Sequence, residues 1–171
     1  MFDITASAVR IAGIILGASA ALAPAAASAA TASSTLNVSA TVTANCTVST
    51  SALGFGNVNT LSGANVDGTG GISVTCTNGT AWSASAGVGS GSGASFASRR
   101  MTSGANLLTY NLFTDSGRTT VWGDGTGSTA TIGDTGTGSA QAVTIYGRVG
   151  SGQISVPAGS YADTVSVTVT Y

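Results

Sequence analysis

Histidine, lysine and glutamate are absent from residues 30–171, and charge of either sign is scarce there. Four arginines (Arg99, Arg100, Arg118, Arg148) stand against five aspartates (Asp67, Asp115, Asp124, Asp134, Asp163). That is too little charge, too evenly balanced, to grip a nucleic-acid backbone or a membrane surface, so no nucleic-acid partner is expected. A zinc site needs more ligands than two cysteines and scattered aspartates supply, and no metal or other cofactor is expected. Asp124 and Asp134 are the only closely spaced carboxylates of note. With no His, Lys or Glu to accompany them, an acid–base or nucleophilic constellation cannot readily be assembled, and the chain reads as a protein that is not an enzyme. The glycines of residues 87–93 precede no helical pattern, which excludes a dinucleotide loop.

Long apolar runs are missing as well. The longest, residues 11–23, falls short of the roughly 20 residues that a bilayer span requires. It follows Arg10 and leads into small residues with the motif Ala27-Ser28-Ala29. This is the pattern of a cleaved export signal over residues 1–29. Export carries the two cysteines, Cys46 and Cys76, into an oxidising compartment, where a single disulfide is the natural outcome. In the chain-entropy treatment, closing such a loop stabilises a fold by about 3–4 kcal/mol.

What remains is rich in Thr, Val, Ser and Gly and shows no 3.6-residue apolar period. Short alternating runs predict strands at 36–48, 71–77, 81–88, 107–114, 118–122, 129–132, 141–149 and 161–171. About seven short strands with Gly-rich turns between them indicate one all-β domain, a sandwich of the immunoglobulin type. Asp124-Gly-Thr-Gly and Asp134-Thr-Gly-Thr-Gly fit hairpin turns better than calcium-binding repeats, being only two in number and lacking the doubled glycine. Trp82, Trp122, Tyr110 and Tyr146 are assigned to the core rather than to a sugar-stacking face. Arg99-Arg100 reads as a charge pair in a loop.

Two runs carry the most information. From Leu36 to Val48 every even position is apolar or Cys46 and every odd position polar. At about 3.3 Å per residue this run would extend about 43 Å, longer than most single strands. It divides most simply into an N-terminal arm, residues 30–42, and a first strand of a domain spanning 43–171. An ordinary first strand with a frayed start is the alternative. The second run, residues 161–171, alternates in the same way up to Tyr171, where no residues follow for a further strand. Immunoglobulin-type sandwiches normally close with such a strand. A sheet edge left without one exposes donors and acceptors that call for another strand.

The chain resembles the spore coat protein U domain family, which includes archaic (Csu-type) chaperone–usher pilus subunits. The residues that carry the resemblance are Asn45-Cys-Thr-Val48, Gly71-Ile-Ser-Val-Thr-Cys76, Leu108-Thr-Tyr-Asn-Leu-Phe-Thr-Asp115 and Gly117-Arg-Thr-Thr-Val-Trp-Gly-Asp124, followed by Ile145-Tyr-Gly-Arg-Val149 and the stretch from Pro157 to Tyr171. The resemblance implies an incomplete immunoglobulin-like sandwich of the pilin type, lacking its final strand, with Cys46 and Cys76 tying the first two strands together. It implies a periplasmic chaperone that lends a strand to the open groove and an outer-membrane usher that lets the arm of another copy or related subunit replace it. Leu36, Val38, Ala40 and Val42 would fill the groove of a neighbour. Val165, Val167, Val169 and Tyr171 would form the terminal strand at the groove's edge. The implied function is a structural subunit of a surface pilus, in the periplasm in transit and then at the cell surface, serving adhesion or biofilm formation. A secreted spore or cell coat protein, and a monomeric extracellular binding module with its groove filled by its own arm, are the rival expectations.

Overall fold

The structure, a computed structural model, describes residues 27–171. The expected export signal therefore lies outside the described residues except for its last three. The chain divides into two units, Met1–Ser39 and Ala40–Tyr171, each taken by itself here. In the first, residues 27–39 form neither strand nor helix and every one of them is exposed.

The second unit is all-β. Its ten strands are β1 (Cys46–Ser51), β2 (Val66–Cys76), β3 (Ala81–Ala86), β4 (Arg99–Ser103), β5 (Asn106–Phe113), β6 (Val121–Trp122), β7 (Thr129–Ala130), β8 (Ile132–Thr135), β9 (Gln141–Val149) and β10 (Val167–Thr170). One sheet runs β1-β2-β9-β5-β6-β7, with β4 also paired to β5, and the other runs β10-β3-β8. The pairs are antiparallel except β6 with β7. Period-2 alternation explains the layering, because successive side chains of a strand point to opposite faces. Ile72, Val74 and Cys76 of β2, Leu108, Tyr110 and Leu112 of β5, and Ile145 and Val149 of β9 turn one way; Trp82, Ala84 and Ala86 of β3 meet them from the other sheet. The buried indoles keep their N–H groups paired: Trp122 Nε1 donates to Ala84 O at 3.1 Å and Trp82 Nε1 to Gln141 Oε1 at 3.2 Å. Trp82, Trp122 and Tyr110 are thus core residues, and Tyr146 is half-buried under the Arg118 guanidinium.

Several expected boundaries move. The run 36–48 is not a strand throughout: pairing starts at Cys46, opposite Cys76 where β2 ends, and continues to Ser51. The predicted strand 129–132 splits between β7 and β8, which belong to different sheets. The terminal strand is confined to Val167–Thr170, with an isolated bridge at Ala162.

The Arg99-Arg100 pair is a correction of kind. It opens β4 rather than a loop, and Arg99 is 0% exposed. Its Nε and Nη2 donate to Gly87 O at 3.0 and 2.8 Å, Nη2 also to Trp122 O at 2.7 Å, and Nη1 to Asn111 Oδ1 at 2.7 Å. The guanidinium also lies over the Phe96 ring. Burial pushes its pKa down, countered by Tyr110 and Asp163, yet arginine stays charged in proteins. Three carbonyl bonds and a side-chain amide replace its hydration. Arg99→Met would strand the Gly87 and Trp122 carbonyls, and we expect a loss of about 2–5 kcal/mol in chemical denaturation.

Cys46 and Cys76 face each other across the β1–β2 ladder and form a disulfide with Cα atoms 4.1 Å apart. Cys46→Ser is expected to lower unfolding stability by about 3–4 kcal/mol, read by comparing denaturation midpoints of variant and parent under oxidising conditions.

Candidate functional site

Among the described residues β1 pairs only with β2, and β10 only with β3, so each presents one unpartnered edge. These edges belong to different sheets and flank an opening into the core. On the first side the chain leaves β1 as an extended segment. Leu53, Phe55 and Val58 are half-buried against the core while Ala52, Gly54, Gly56 and Asn57 are exposed. Among the described residues no backbone hydrogen bond reaches 52–58. On the other side, Tyr161, Val165, Val167 and Val169 pack partly against the core, alternating with exposed Ala162, Thr164, Ser166 and Thr168. Only the inner side of this segment is tied down, by Thr102 to Ala162 and by Gly87 N donating to Ser166 O at 2.9 Å.

Between the two lies a cavity of about 420 Å³ whose floor includes Ile72, Leu112, Trp122 and Ile145. It runs on into a second cavity of about 660 Å³, the two sharing Leu53, Phe55, Met101 and Tyr161. Together they make one furrow, bordered by 50–61 on one side and 156–167 on the other. Glycines of the sheet beneath let the first border settle. A Cβ on Gly147 would stand 2.8 Å from Leu53 Cδ2 and 2.9 Å from Phe55 Cζ, and one on Gly70 would stand 2.8 Å from Leu53 Cβ. Beyond the furrow, where the chain enters β1, Tyr171 Oη donates to Asn45 Oδ1 at 3.5 Å.

Asp163 fixes the middle of the second border. Its Oδ1 accepts from Ser90 N, Ser90 Oγ and Thr164 N, each at 2.7 Å, and its Oδ2 accepts from Tyr110 Oη at 2.7 Å. Burial alone would raise its pKa, but these donors outweigh it and hold the carboxyl below its ordinary value. Burial, and then the bond to Asp163, pushes the Tyr110 phenol up.

The residues singled out beforehand divide into two groups. Val165 and Val167 line the furrow, Val169 packs against the core beyond it, with Val167 and Val169 opposite Ala86 and Ala84 of β3, and Tyr171 is exposed. Leu36, Val38 and Val42 are 88%, 85% and 84% exposed, and Ala40 is exposed too; none of the four belongs to a strand. Leu53, Phe55, Arg99 and the Asp163–Tyr110 pair were missed. The first two had a legible signal, the alternation of Leu53-Gly-Phe55 just beyond the first strand. Asp124 and Asp134, considered for chemistry, act locally: Asp124 Oδ1 accepts from Thr126 N and Oγ1 within its own turn, and Asp134 Oδ2 accepts from Gln141 Nε2. Among the described residues no cluster of metal-ligating side chains occurs.

Comparison with known proteins points one way. The sequence model described as Spore Coat Protein U domain matches residues 32–168. Protein U of Myxococcus xanthus is 37% identical over 120 residues, covering 67% of this chain and 65% of the relative. Among solved structures, a chain of the CsuC–CsuE chaperone–tip adhesion subunit pre-assembly complex, from the archaic chaperone-usher Csu pili of Acinetobacter baumannii, aligns with a TM-score of 0.55 at 24% identity. That alignment covers 77% of this chain and 40% of the other, and it shows a shared fold. The chain thus spans just under two thirds of the relative's length and less than half of the solved chain's.

The Asp163 network has a measurable consequence. A carboxyl whose folded-state pKa is depressed contributes stability at pH above its unfolded value, near 3.8, and loses that contribution as pH falls through its lower folded value. Asp67, Asp115 and Asp124 are held down as well, so only the difference from a variant isolates Asp163. We expect Asp163→Asn to be less stable than the parent at pH 7, with the gap narrowing below pH of about 3.8, as read by urea unfolding at both pH values.

Proposed function

The chain belongs to the Spore Coat Protein U domain family, and from that premise we propose that it is an exported structural subunit of a surface pilus, assembled through the chaperone–usher pathway by donor-strand exchange and serving adhesion or biofilm formation. The observation that carries this reading is the furrow itself: two facing edges with free backbone groups above an apolar floor of core residues. The arm over residues 30–42 has the matching character, with Leu36, Val38, Ala40 and Val42 on one side of an extended chain. Its chemistry is β-augmentation: main-chain hydrogen bonds supply adhesion and alternate side chains supply fit.

Each Val or Leu moved from water into the furrow contributes roughly 1.5–3 kcal/mol, less the cost of ordering the arm and joining two bodies. A periplasmic chaperone's strand occupies the furrow first and keeps the apolar floor covered. At the outer-membrane usher, the arm of another subunit takes over because it fills the floor better, so no nucleotide is consumed. An arm that enters one neighbour while its own domain receives another makes a heterologous contact that does not close on itself, and such contacts propagate as fibres. A second reading, a secreted coat layer built from the same contact, is favoured by the description of the family and by the likeness to Protein U.

Cells expressing this gene with its genomic neighbours are expected to carry fibres visible by electron microscopy. A chain lacking residues 30–42 should fold and bind a chaperone yet form none; fibres made without the arm would end this reading. Val38→Asp should abolish assembly, since insertion would bury a carboxylate without a partner. Fibre yield at the level of the parent would show that Val38 stays outside the furrow.

A further inference from the structure

The two ends of the furrow differ. At one, residues 53–61 and 156–161 border the larger cavity. At the other, the chain entering β1 is held hard against the end of β2. The Thr77 amide donates to Asn45 O at 2.9 Å, and the Asn45 amide donates to Thr77 Oγ1 at 3.1 Å. The Thr77 hydroxyl proton has two acceptors in reach, Asn45 O at 3.3 Å and Thr43 O at 3.5 Å. One residue further, Cys46 is covalently bound to Cys76. Beyond the furrow at this end, Tyr171 Oη reaches Asn45 Oδ1. Asn45 thus uses its amide, its carbonyl and its side chain to join β1, β2 and the terminal segment.

This junction bears on which arm can fill the furrow. A tethered segment competes at an effective concentration of about millimolar when its linker can span the distance, and near zero when it cannot. On that scale a chain's own arm would outcompete the arms of other copies. To lie between β1 and β10, however, the own arm must reverse direction immediately ahead of Cys46 and enter through the end that Asn45 and Tyr171 join. Residues 43–45 cannot turn back while Thr77 holds them in line with β1. An arm belonging to a second copy has no such tether and can enter from the wider end.

We propose that Thr77 and the Asn45–Tyr171 contact form a directional gate that denies the furrow to the chain's own arm and reserves it for the arm of a second copy. The inference rests on the donor-strand reading above and adds to it the device that keeps insertion intermolecular. It also explains why Asn45, rather than a small or flexible residue, stands at the root of the arm. A glycine there would give the backbone the freedom to reverse.

The test uses the mature chain, residues 30–171, refolded over a range of concentrations. Two variants loosen the gate by independent means: Thr77→Val with Tyr171→Phe, which removes the side-chain contacts and leaves the bond from Thr77 N to Asn45 O, and an insertion of Gly-Ser-Gly-Ser between Ala44 and Asn45, which gives the arm slack to reverse while Asn45 stays held. Mass photometry reads the monomer fraction, and limited proteolysis reads whether residues 30–42 are protected within monomers. Both variants are expected to raise the fraction of protected-arm monomers, the double substitution by about fivefold or more, the shift that loss of one hydrogen bond already allows, while Thr77→Ser stays at the parental level. Monomers of the variants whose arms are cleaved as readily as the parent's would overturn the gate. Should the double substitution fail to fold, the insertion alone decides in the same way. Parental oligomers whose arms remain cleavable would instead overturn the donor-strand reading on which the gate rests.

Discussion

A backbone amide or carbonyl withdrawn from water must find a partner, and in this molecule two stretches of backbone beside the core are, among the described residues, left short of one: 52–58 entirely and the terminal segment along its outer edge. Everything distinctive about the fold follows from that constraint. Residues 52–58 press Leu53 and Phe55 inward with no backbone hydrogen bond among the described residues, and the terminal segment presses Val165, Val167 and Val169 inward from the opposite sheet with its backbone paired on the inner side alone. A sandwich usually removes such edges by adding strands or covering them. Here they face one another across a gap that an extended chain would span with hydrogen bonds on both sides.

The borders of the gap are positioned by polar groups inside an otherwise apolar domain. Arg99 draws in Gly87 O; the amide of Gly87 in turn holds Ser166, between Val165 and Val167. Asp163 collects four donors, two of them from Ser90, and so pins the chain just before Val165. Glycines at positions 70 and 147 make room for Leu53 and Phe55 on the other side. The apolar residues provide the driving force, and the few charged ones decide where the edges stand. A protein with so little charge spends two of its charged residues, Arg99 and Asp163, on this task.

How much of this was legible in the chain depended on whether the signal was local. β3, β5 and β9 carry a local alternation and their positions could be read within a few residues, whereas β2 begins at Val66, five residues ahead of the expected start, because Gly68, Gly70 and Gly71 carry no apolar signal. The alternation from Leu36 to Val48 gave no hint of where pairing begins, because that is set by where β2 ends, thirty residues away. β4 was hidden for a related reason. Two adjacent arginines look like solvent-exposed charge until Gly87, Asn111 and Trp122 are brought around one of them, and none of those contacts is encoded nearby. The furrow was anticipated in outline from the run that ends at Tyr171. Its other wall, Leu53 and Phe55, was not, although the same alternation rule applies to it.

The disulfide acquires a mechanical meaning from its position. Tension applied to residues 43–45 meets Cys46 first, and there the covalent link diverts it into Cys76 and so into β2, which is flanked on both sides by β1 and β9. The edge strand β1 is bypassed and cannot be peeled away bond by bond. A pull along the arm must instead shear a central strand, loading many hydrogen bonds at once, so the weakest edge of the sandwich is shielded from traction by a single sulfur bridge at its root.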